Sequence, residues 1–170
     1  MFRVVRVSLF LVIVLSLALA ASMALNILTY VRLTDEDPIA ALYFEPVSED
    51  VFTAHLVSDD PGVSGTYEIL GDQWRIDAEF IKLKPWANII GMDARYQLVR
   101  FGGRYRDVVR QNTAPFRAYD LGTGDALDLI NYLAEWNFLV DAEYGSSTYT
   151  DIKEDTVYRV YRTQSGIIIR

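Results

Sequence analysis

Residues 65–83 read GTYEILGDQWRIDAEFIKL and carry the clearest structural pattern in the chain. Apolar residues at positions 74, 76, 78 and 80 alternate with charged residues at 75, 77 and 79. This alternation is typical of an antiparallel strand with one buried face. Gly71 and Asp72 separate two strand-like runs, residues 65–70 and 73–83, and a two-residue Gly-Asp connection favours a tight turn. The stretch therefore predicts a β-hairpin.

Further strand-like runs lie on both sides of this stretch. They are residues 39–44, 51–58, 94–101, 156–162 and 166–170. One helix is predicted over residues 123–138, where Thr123 is a suitable N-cap and apolar residues cover one side. Residues 85–92 predict a loop or a single helical turn, and residues 106–122 give no clear pattern. We therefore expect a mainly β (α+β) domain, either a small antiparallel barrel or a sandwich, with one packed helix.

The N-terminus carries a different pattern. Residues 7–31 contain no charged side chain and, as a helix, would extend over roughly 37 Å, enough to cross a hydrocarbon core of about 30 Å. Arg3 and Arg6 precede the segment and three acidic residues, 35–37, follow it. The positive-inside rule then predicts a cytoplasmic N-terminus and an outer domain on the other side of the membrane.

A cleaved signal peptide is the alternative, with small residues around Ala24 as the cleavage site. We favour the uncleaved anchor because the apolar pattern continues past that site, through Ile27, Leu28 and Val31. The predicted organisation is a cytoplasmic end and transmembrane signal-anchor at 1–32, an acidic linker at 33–38, and a periplasmic β-rich domain at 39–170.

Composition excludes several classes of function. The chain has no cysteine, which rules out disulfides, thiolate catalysis and Cys-ligated zinc. Three of the 16 basic residues flank the apolar segment, which leaves 13 basic against 23 acidic residues and a net charge of −10 in the rest. A strongly acidic domain repels phosphate backbones, so we expect no nucleic-acid partner.

No pattern of residues commits the chain to catalysis. His55 is the only histidine and alternates with Thr53 on the expected outer face of a strand, where we interpret it as an ordinary surface residue. Asp77 and Glu79 share a strand face and are the only candidate acid–base pair. The acidic clusters lack the spacing of a calcium loop, and Gly122-Thr123-Gly124 is a weak phosphate-binding pattern. We expect no enzyme activity, no metal and no cofactor.

Six arginines lie within 23 residues of this otherwise acidic chain: Arg95, Arg100, Arg104, Arg106, Arg110 and Arg117. Two interpretations are open: a patch that contacts lipid headgroups or an acidic partner, or arginines that pair with carboxylates of their own domain, which we favour. Trp86 is either an exposed contact or a plug at one end of the domain. The candidate partner or membrane contacts are Trp86, Arg104, Tyr105 and Arg106.

Three strings carry a resemblance: GDQWRIDAEFIKLKPWANIIGMDARYQLVRFGGRY at 71–105, VDAEYGSSTY at 140–149, and YRTQSGIIIR at 161–170. They resemble uncharacterised proteobacterial single-pass membrane proteins that are often labelled "cation/multidrug efflux pump" or "multidrug transporter". The resemblance implies a bacterial inner-membrane protein with a periplasmic domain. Because one helix cannot enclose a translocation path, it implies at most an accessory role beside a transporter.

The expected function is therefore that of a non-catalytic, membrane-anchored envelope protein. Its periplasmic domain would bind the membrane surface or an inner-membrane or periplasmic protein, as an accessory to a transporter or to envelope assembly. The alternative is a binder of a small apolar ligand or lipid inside a β-barrel. A hydrolase that uses Asp77 and Glu79 is the third hypothesis.

Overall fold

The computed structural model describes residues 2–60, 62–84, 86–87, 92, 95–122, 140–163 and 165–170. The chain forms two compact units, Met1–Asp35 and Glu36–Arg170. The helix predicted at 123–138 and most of the loop predicted at 85–92 lie outside the described residues.

The first unit contains helix α1, Phe2–Leu33. Its segment Phe2–Val31 is long and apolar enough to cross a membrane. The side-chain amide of Asn26 and the hydroxyl of Thr29 donate to backbone carbonyls one turn earlier in the helix, at 3.0 and 2.8 Å. These polar groups are therefore satisfied within the helix, as an apolar environment requires.

Within the described residues, the second unit forms two antiparallel sheets and includes the short helix α2 (Val108–Thr113). The strands are β1 Asp37–Ser48, β2 Val51–Ser58, β3 Gly65–Leu70, β4 Gln73–Leu83, β5 Arg95–Arg104, β6 Ala118–Asp120, β7 Val140–Asp151, β8 Tyr158–Thr163 and β9 Gly166–Ile169. The first sheet has the order β3-β2-β1-β8-β9, and the second has the order β6-β5-β4-β7. Helix α2 connects β5 to β6.

One hydrophobic core contains residues of both sheets. The alternating apolar residues of β4 point into it, and Trp74 lies at its centre with no exposed surface. The Trp74 ring contacts Phe44 and Tyr158 of the first sheet, with centroids 5.9 and 5.4 Å apart, and Phe101 of the second sheet at 6.1 Å. These edge-on and tilted aromatic contacts fix how the two sheets pack.

The predicted hairpin at 65–83 is wrong in its pairing, although both strands and the turn are present. β3 pairs with β2 in the first sheet, whereas β4 pairs with β5 and β7 in the second. Gly71 has a φ of +129°, and a Cβ there would lie 2.2 Å from the Arg104 carbonyl oxygen. The turn is therefore a crossover between sheets that is packed against β5, and it requires glycine.

The predicted barrel is also wrong, because the two sheets do not close into one. At one seam the Tyr119 hydroxyl accepts from the Glu68 N–H at 3.2 Å and donates to the Glu68 carbonyl at 3.0 Å. At the other, the Ile167 N–H donates to the Ser146 hydroxyl at 3.1 Å. At both seams, side-chain hydroxyls form hydrogen bonds with backbone groups that would pair with a neighbouring strand in a closed barrel. The barrel is therefore excluded, and the domain consists of two separate antiparallel sheets.

The remaining strand predictions differ mainly in their limits. β2 matches residues 51–58, and β1, β5, β8 and β9 overlap their predicted runs. Because β1 begins at Asp37 and α1 ends at Leu33, the connection has three residues and is shorter than the predicted linker, 33–38. Strand β7, which pairs with β4 along its length, is absent from the sequence-based prediction.

Candidate functional site

The predicted contact residues Arg104, Tyr105 and Arg106 lie where β5 ends and the chain turns towards α2. Arg104 pairs with Gln73, the first residue of β4, whereas Trp86 follows the last residue of that strand. The structure therefore places Trp86 beyond the opposite end of β4 from the other three. Trp86 is exposed, and its contact role stays a prediction.

Tyr105 is only 5% exposed and holds the α2 region in place. Its backbone N–H donates to the Gln111 side-chain oxygen at 2.7 Å, and its hydroxyl donates to the Pro115 carbonyl at 3.1 Å. The Arg110 guanidinium lies over its ring, 4.7 Å from the centroid. These contacts give Tyr105 a structural role and leave little of its side chain for a partner.

Arg106 and Asp151 connect the ends of three strands, β4, β5 and β7. The Arg106 guanidinium pairs with the Asp151 carboxylate, which also accepts a hydrogen bond from Gln73 Nε2 at 2.7 Å. The bond from Arg106, followed by that from Gln73, lowers the pKa of Asp151 below its ordinary value. The backbone N–H of Arg106 donates to Asp72 Oδ1 at 2.8 Å. These contacts therefore favour the charged form of the Asp151 carboxylate.

The arginines between residues 95 and 117 pair mainly with carboxylates of their own domain. The pairs are Arg100–Asp77, Arg106–Asp151, Arg110–Asp50 and Arg117–Glu68. The guanidinium of Arg104 instead lies over the Tyr149 ring, 4.2 Å from its centroid. The prediction of internal pairing is confirmed for these four arginines. Their positive charge is largely compensated, so this segment is not a strongly cationic patch.

Helix α2 is held by polar contacts and exposes its apolar side chains. Asp107 caps it by accepting the Arg110 N–H at 2.8 Å, and none of its six residues is buried. Val108 and Val109 are 71% and 69% exposed, and Phe116, just beyond the helix, is 60% exposed. A surface helix normally buries its apolar side chains. We call Val108, Val109 and Phe116 the α2 apolar residues.

The α2 apolar residues were missed by the sequence-based analysis. The stretch DVVRQNTAPF at 107–116 places two adjacent valines directly after a capping aspartate and a phenylalanine after Pro115. This arrangement could have predicted exposed apolar side chains, because apolar residues in the first turn of a short capped helix often do not reach a hydrophobic core. Their exposure depends on neighbours distant in sequence, such as Asp50, which pairs with Arg110.

The second sheet carries an open groove of about 300 Å³ on the face turned away from the core. Its lining includes residues of three strands: Arg75, Asp77 and Glu79 of β4, Arg100 of β5, and Gly145 and Ser147 of β7. Asp77 accepts a hydrogen bond from the Ser147 hydroxyl at 2.6 Å and lies 3.4 Å from Arg75 Nε and 3.8 Å from Arg100 Nε. We call this the outer-face groove. It contains both members of the predicted acid–base pair.

His55 lies on the outer face of the first sheet, as expected. Its ring stacks on Tyr43 with centroids 4.6 Å apart, and its Nε2 is 3.3 Å from the Glu45 carboxylate. Among the residues that the structure describes, no group of three or more His, Asp or Glu side chains is arranged to hold a metal ion.

The chain was compared with models of protein families, with curated proteins and with solved structures. It matches none of them.

Proposed function

We propose that this chain is a non-catalytic, membrane-anchored envelope protein whose outer domain binds a protein partner. The anchor is α1, with arginines before its apolar span and acidic residues after it. The positive-inside rule then predicts that the second unit lies on the non-cytoplasmic side of the membrane. For the Gram-negative cell that the sequence resemblance implies, that side is the periplasm. A single helix also suits an accessory role beside a transporter or an envelope-assembly component.

The observation that carries this proposal is the exposure of the α2 apolar residues on a helix that is held by its Asp107 cap and by the Arg110–Asp50 pair. Fixed apolar side chains surrounded by charged groups are typical of the centre and rim of a protein interface. Because α2 is already ordered by its cap and by the Arg110–Asp50 pair, binding would cost little conformational entropy.

A protein partner is favoured over the membrane surface on electrostatic grounds. The chain beyond α1 has a net charge of −10, so anionic headgroups would repel it. The arginines near α2 do not offset this repulsion, because carboxylates such as Asp50 and Asp151 already neutralise them. Apolar contacts that need no net positive charge therefore fit a protein surface better.

The alternative of an apolar ligand inside a barrel has no support in this fold. The sheets do not close into a barrel, and the space between them is filled by side chains without exposed surface, among them Trp74, Phe80 and Phe101. A ligand between the sheets would have to displace these residues, at a cost of several kcal/mol of packing.

Site-specific photocrosslinking in living cells tests the proposal. A photoreactive phenylalanine analogue is placed at Val109 or Phe116 in the full-length protein, and at the similarly exposed Val57 of β2 as a control. We expect the same discrete protein adduct from the two α2 positions and not from the control. Adducts only with lipid, or the same adducts at Val57, would contradict a protein-binding role for α2.

A further inference from the structure

The polar side chains of α1 lie mainly on one face of the helix. Between residues 7 and 31 the small polar residues are Ser8, Ser16, Ser22, Asn26 and Thr29. At about 100° per residue, all of them except Ser16 point within about 40° of the direction of Ser22. Every residue of the apolar span is exposed in the single chain. Because lipid around the whole helix would favour no particular face for polar groups, this face indicates a contact with another helix.

Asn26 has the strongest need for a partner on this face. One N–H of its amide donates to the Ser22 carbonyl at 3.0 Å, and beyond that bond the amide forms no hydrogen bond within the described part of the chain. The uncharged stretch 7–31 has its midpoint at Leu19, so Asn26 lies about 10 Å from it, inside a hydrocarbon half-thickness of about 15 Å. Water is absent at that depth. The second N–H and the amide oxygen of Asn26 therefore require a partner within the membrane.

We infer that α1 forms a parallel dimer with α1 of a second copy of this chain, with the two Asn26 amides paired across the contact. This inference rests on the membrane anchoring proposed above and not on the α2 interface. Two copies that insert in the same orientation hold Asn26 at the same depth. Because an amide is both donor and acceptor, two Asn26 side chains are complementary to each other. A helix of a different protein would need a polar group at this same depth to replace the second copy.

The residues that precede Asn26 on this face suit a close helix contact. Ala18 and Ser22 come before Asn26 at intervals of four residues, and four residues make little more than one helical turn. Small side chains at this spacing let two helix backbones approach closely within a membrane. Close approach brings the Asn26 amides of the two copies within hydrogen-bonding distance, so the small residues and the amide act in the same contact.

Cysteine crosslinking in membranes tests the contact, because the full-length chain has no cysteine of its own. The matched positions are Leu15 and Ala18 on the Asn26 face, and Leu17 and Ala20 on the opposite side of the helix. We expect oxidation to give disulfide-linked dimers of Leu15→Cys and of Ala18→Cys. The two controls should give none above background, because a disulfide needs Cα atoms within about 7 Å of each other.

Variants of Asn26 in the Ala18→Cys protein test the amide itself. Asn26→Leu should reduce the amount of dimer roughly tenfold, as expected for the loss of hydrogen bonds between membrane helices. Asn26→Gln keeps the amide and should retain most of the dimer. Ser16→Leu removes the one small polar side chain that lies off this face, and it should leave crosslinking unchanged.

Scoring full-length protein in the membrane fraction separates failure of the dimer from failure of the anchor. If such protein crosslinks equally on both sides of the helix, or on neither side, the dimer inference is overturned and the anchor stands. Undiminished crosslinking of Asn26→Leu would also overturn it. Protein that is absent from the membrane fraction, or that has been shortened near Ala24, would overturn the anchor and the dimer together.

Discussion

At the scale of single residues, Asp151 joins parts of the second sheet that are far apart in sequence. It is the last residue of β7, it accepts a hydrogen bond from the first residue of β4, and it pairs with Arg106 just after β5. Its backbone carbonyl also accepts the Tyr158 hydroxyl of β8 at 2.7 Å. One residue therefore connects the end of the second sheet to the first.

This position predicts a pH-dependent contribution to stability. Because the folded-state pKa of Asp151 is lowered, mainly by Arg106 and then by Gln73, its stabilisation is present above the unfolded-state pKa of about 4. It is lost as the pH falls through the still lower folded-state pKa. We expect Asp151→Asn to lower the thermal unfolding midpoint by a few degrees at neutral pH, and the difference from wild type to shrink in acid.

The measurement is a series of thermal unfolding curves between neutral pH and about pH 3. Glu154→Gln is the matched control, since Glu154 is an exposed acidic residue that forms no ion pair within the described part of the chain. A deficit of Asp151→Asn that stays constant over the whole pH range would show that the charge of Asp151 contributes nothing.

At the scale of elements, the strands that follow a local pattern were predictable and their partners were not. The alternation in β4 reflects burial of one face, which residues 73–80 encode by themselves. The partner of β3 depends instead on how Gly71 packs against Arg104, more than 30 positions away. Sequence pattern alone therefore gave the strands of residues 65–83 but the wrong pairing.

Strand β7 and helix α2 were not predicted, because both depend on contacts with residues distant in sequence. The centre of β7 reads Gly145-Ser146-Ser147, which has low intrinsic strand preference, and the strand forms because β4 offers a long edge for pairing. Helix α2 is too short to be stable by itself and depends on the pair between Arg110 and Asp50. The ion pairs of the arginines could be predicted from the composition. The exposure of the α2 apolar residues could not, because it depends on these tertiary contacts.

The seam between β3 and β6 supports a prediction at this scale. The Tyr119 hydroxyl forms hydrogen bonds with both the N–H and the carbonyl of Glu68, so it covers the open edge of β3. We expect Tyr119→Phe to lower the free energy of unfolding by about 1 kcal/mol. Amide exchange at Glu68 should accelerate, because its N–H loses its partner.

Tyr149→Phe is the control for the seam. The Tyr149 hydroxyl has no hydrogen-bond partner among the described residues, so its removal should leave stability and exchange at Glu68 unchanged. Equal destabilisation by Tyr119→Phe and Tyr149→Phe would mean that the seam does not depend on the Tyr119 hydroxyl.

At the scale of the whole molecule, the chain combines one apolar helix with an acidic domain, and three residues connect them. The charges on either side of the helix predict its orientation, because basic residues are retained in the cytoplasm. Since the chain has no cysteine, single cysteines can report each side without background. Glu154→Cys probes the second unit, and Phe2→Cys probes the N-terminus.

We expect a membrane-impermeant maleimide to label Glu154→Cys in intact spheroplasts of a Gram-negative host. Phe2→Cys should become labelled only after lysis, on a protein of full-length mass. The reverse labelling pattern would contradict the proposed orientation. A mature protein that has lost the Phe2→Cys site and about 24 residues of mass would instead identify residues 1–24 as a signal peptide. The α2 apolar residues would then belong to a domain released from its anchor, and only a bound partner would hold that domain in place.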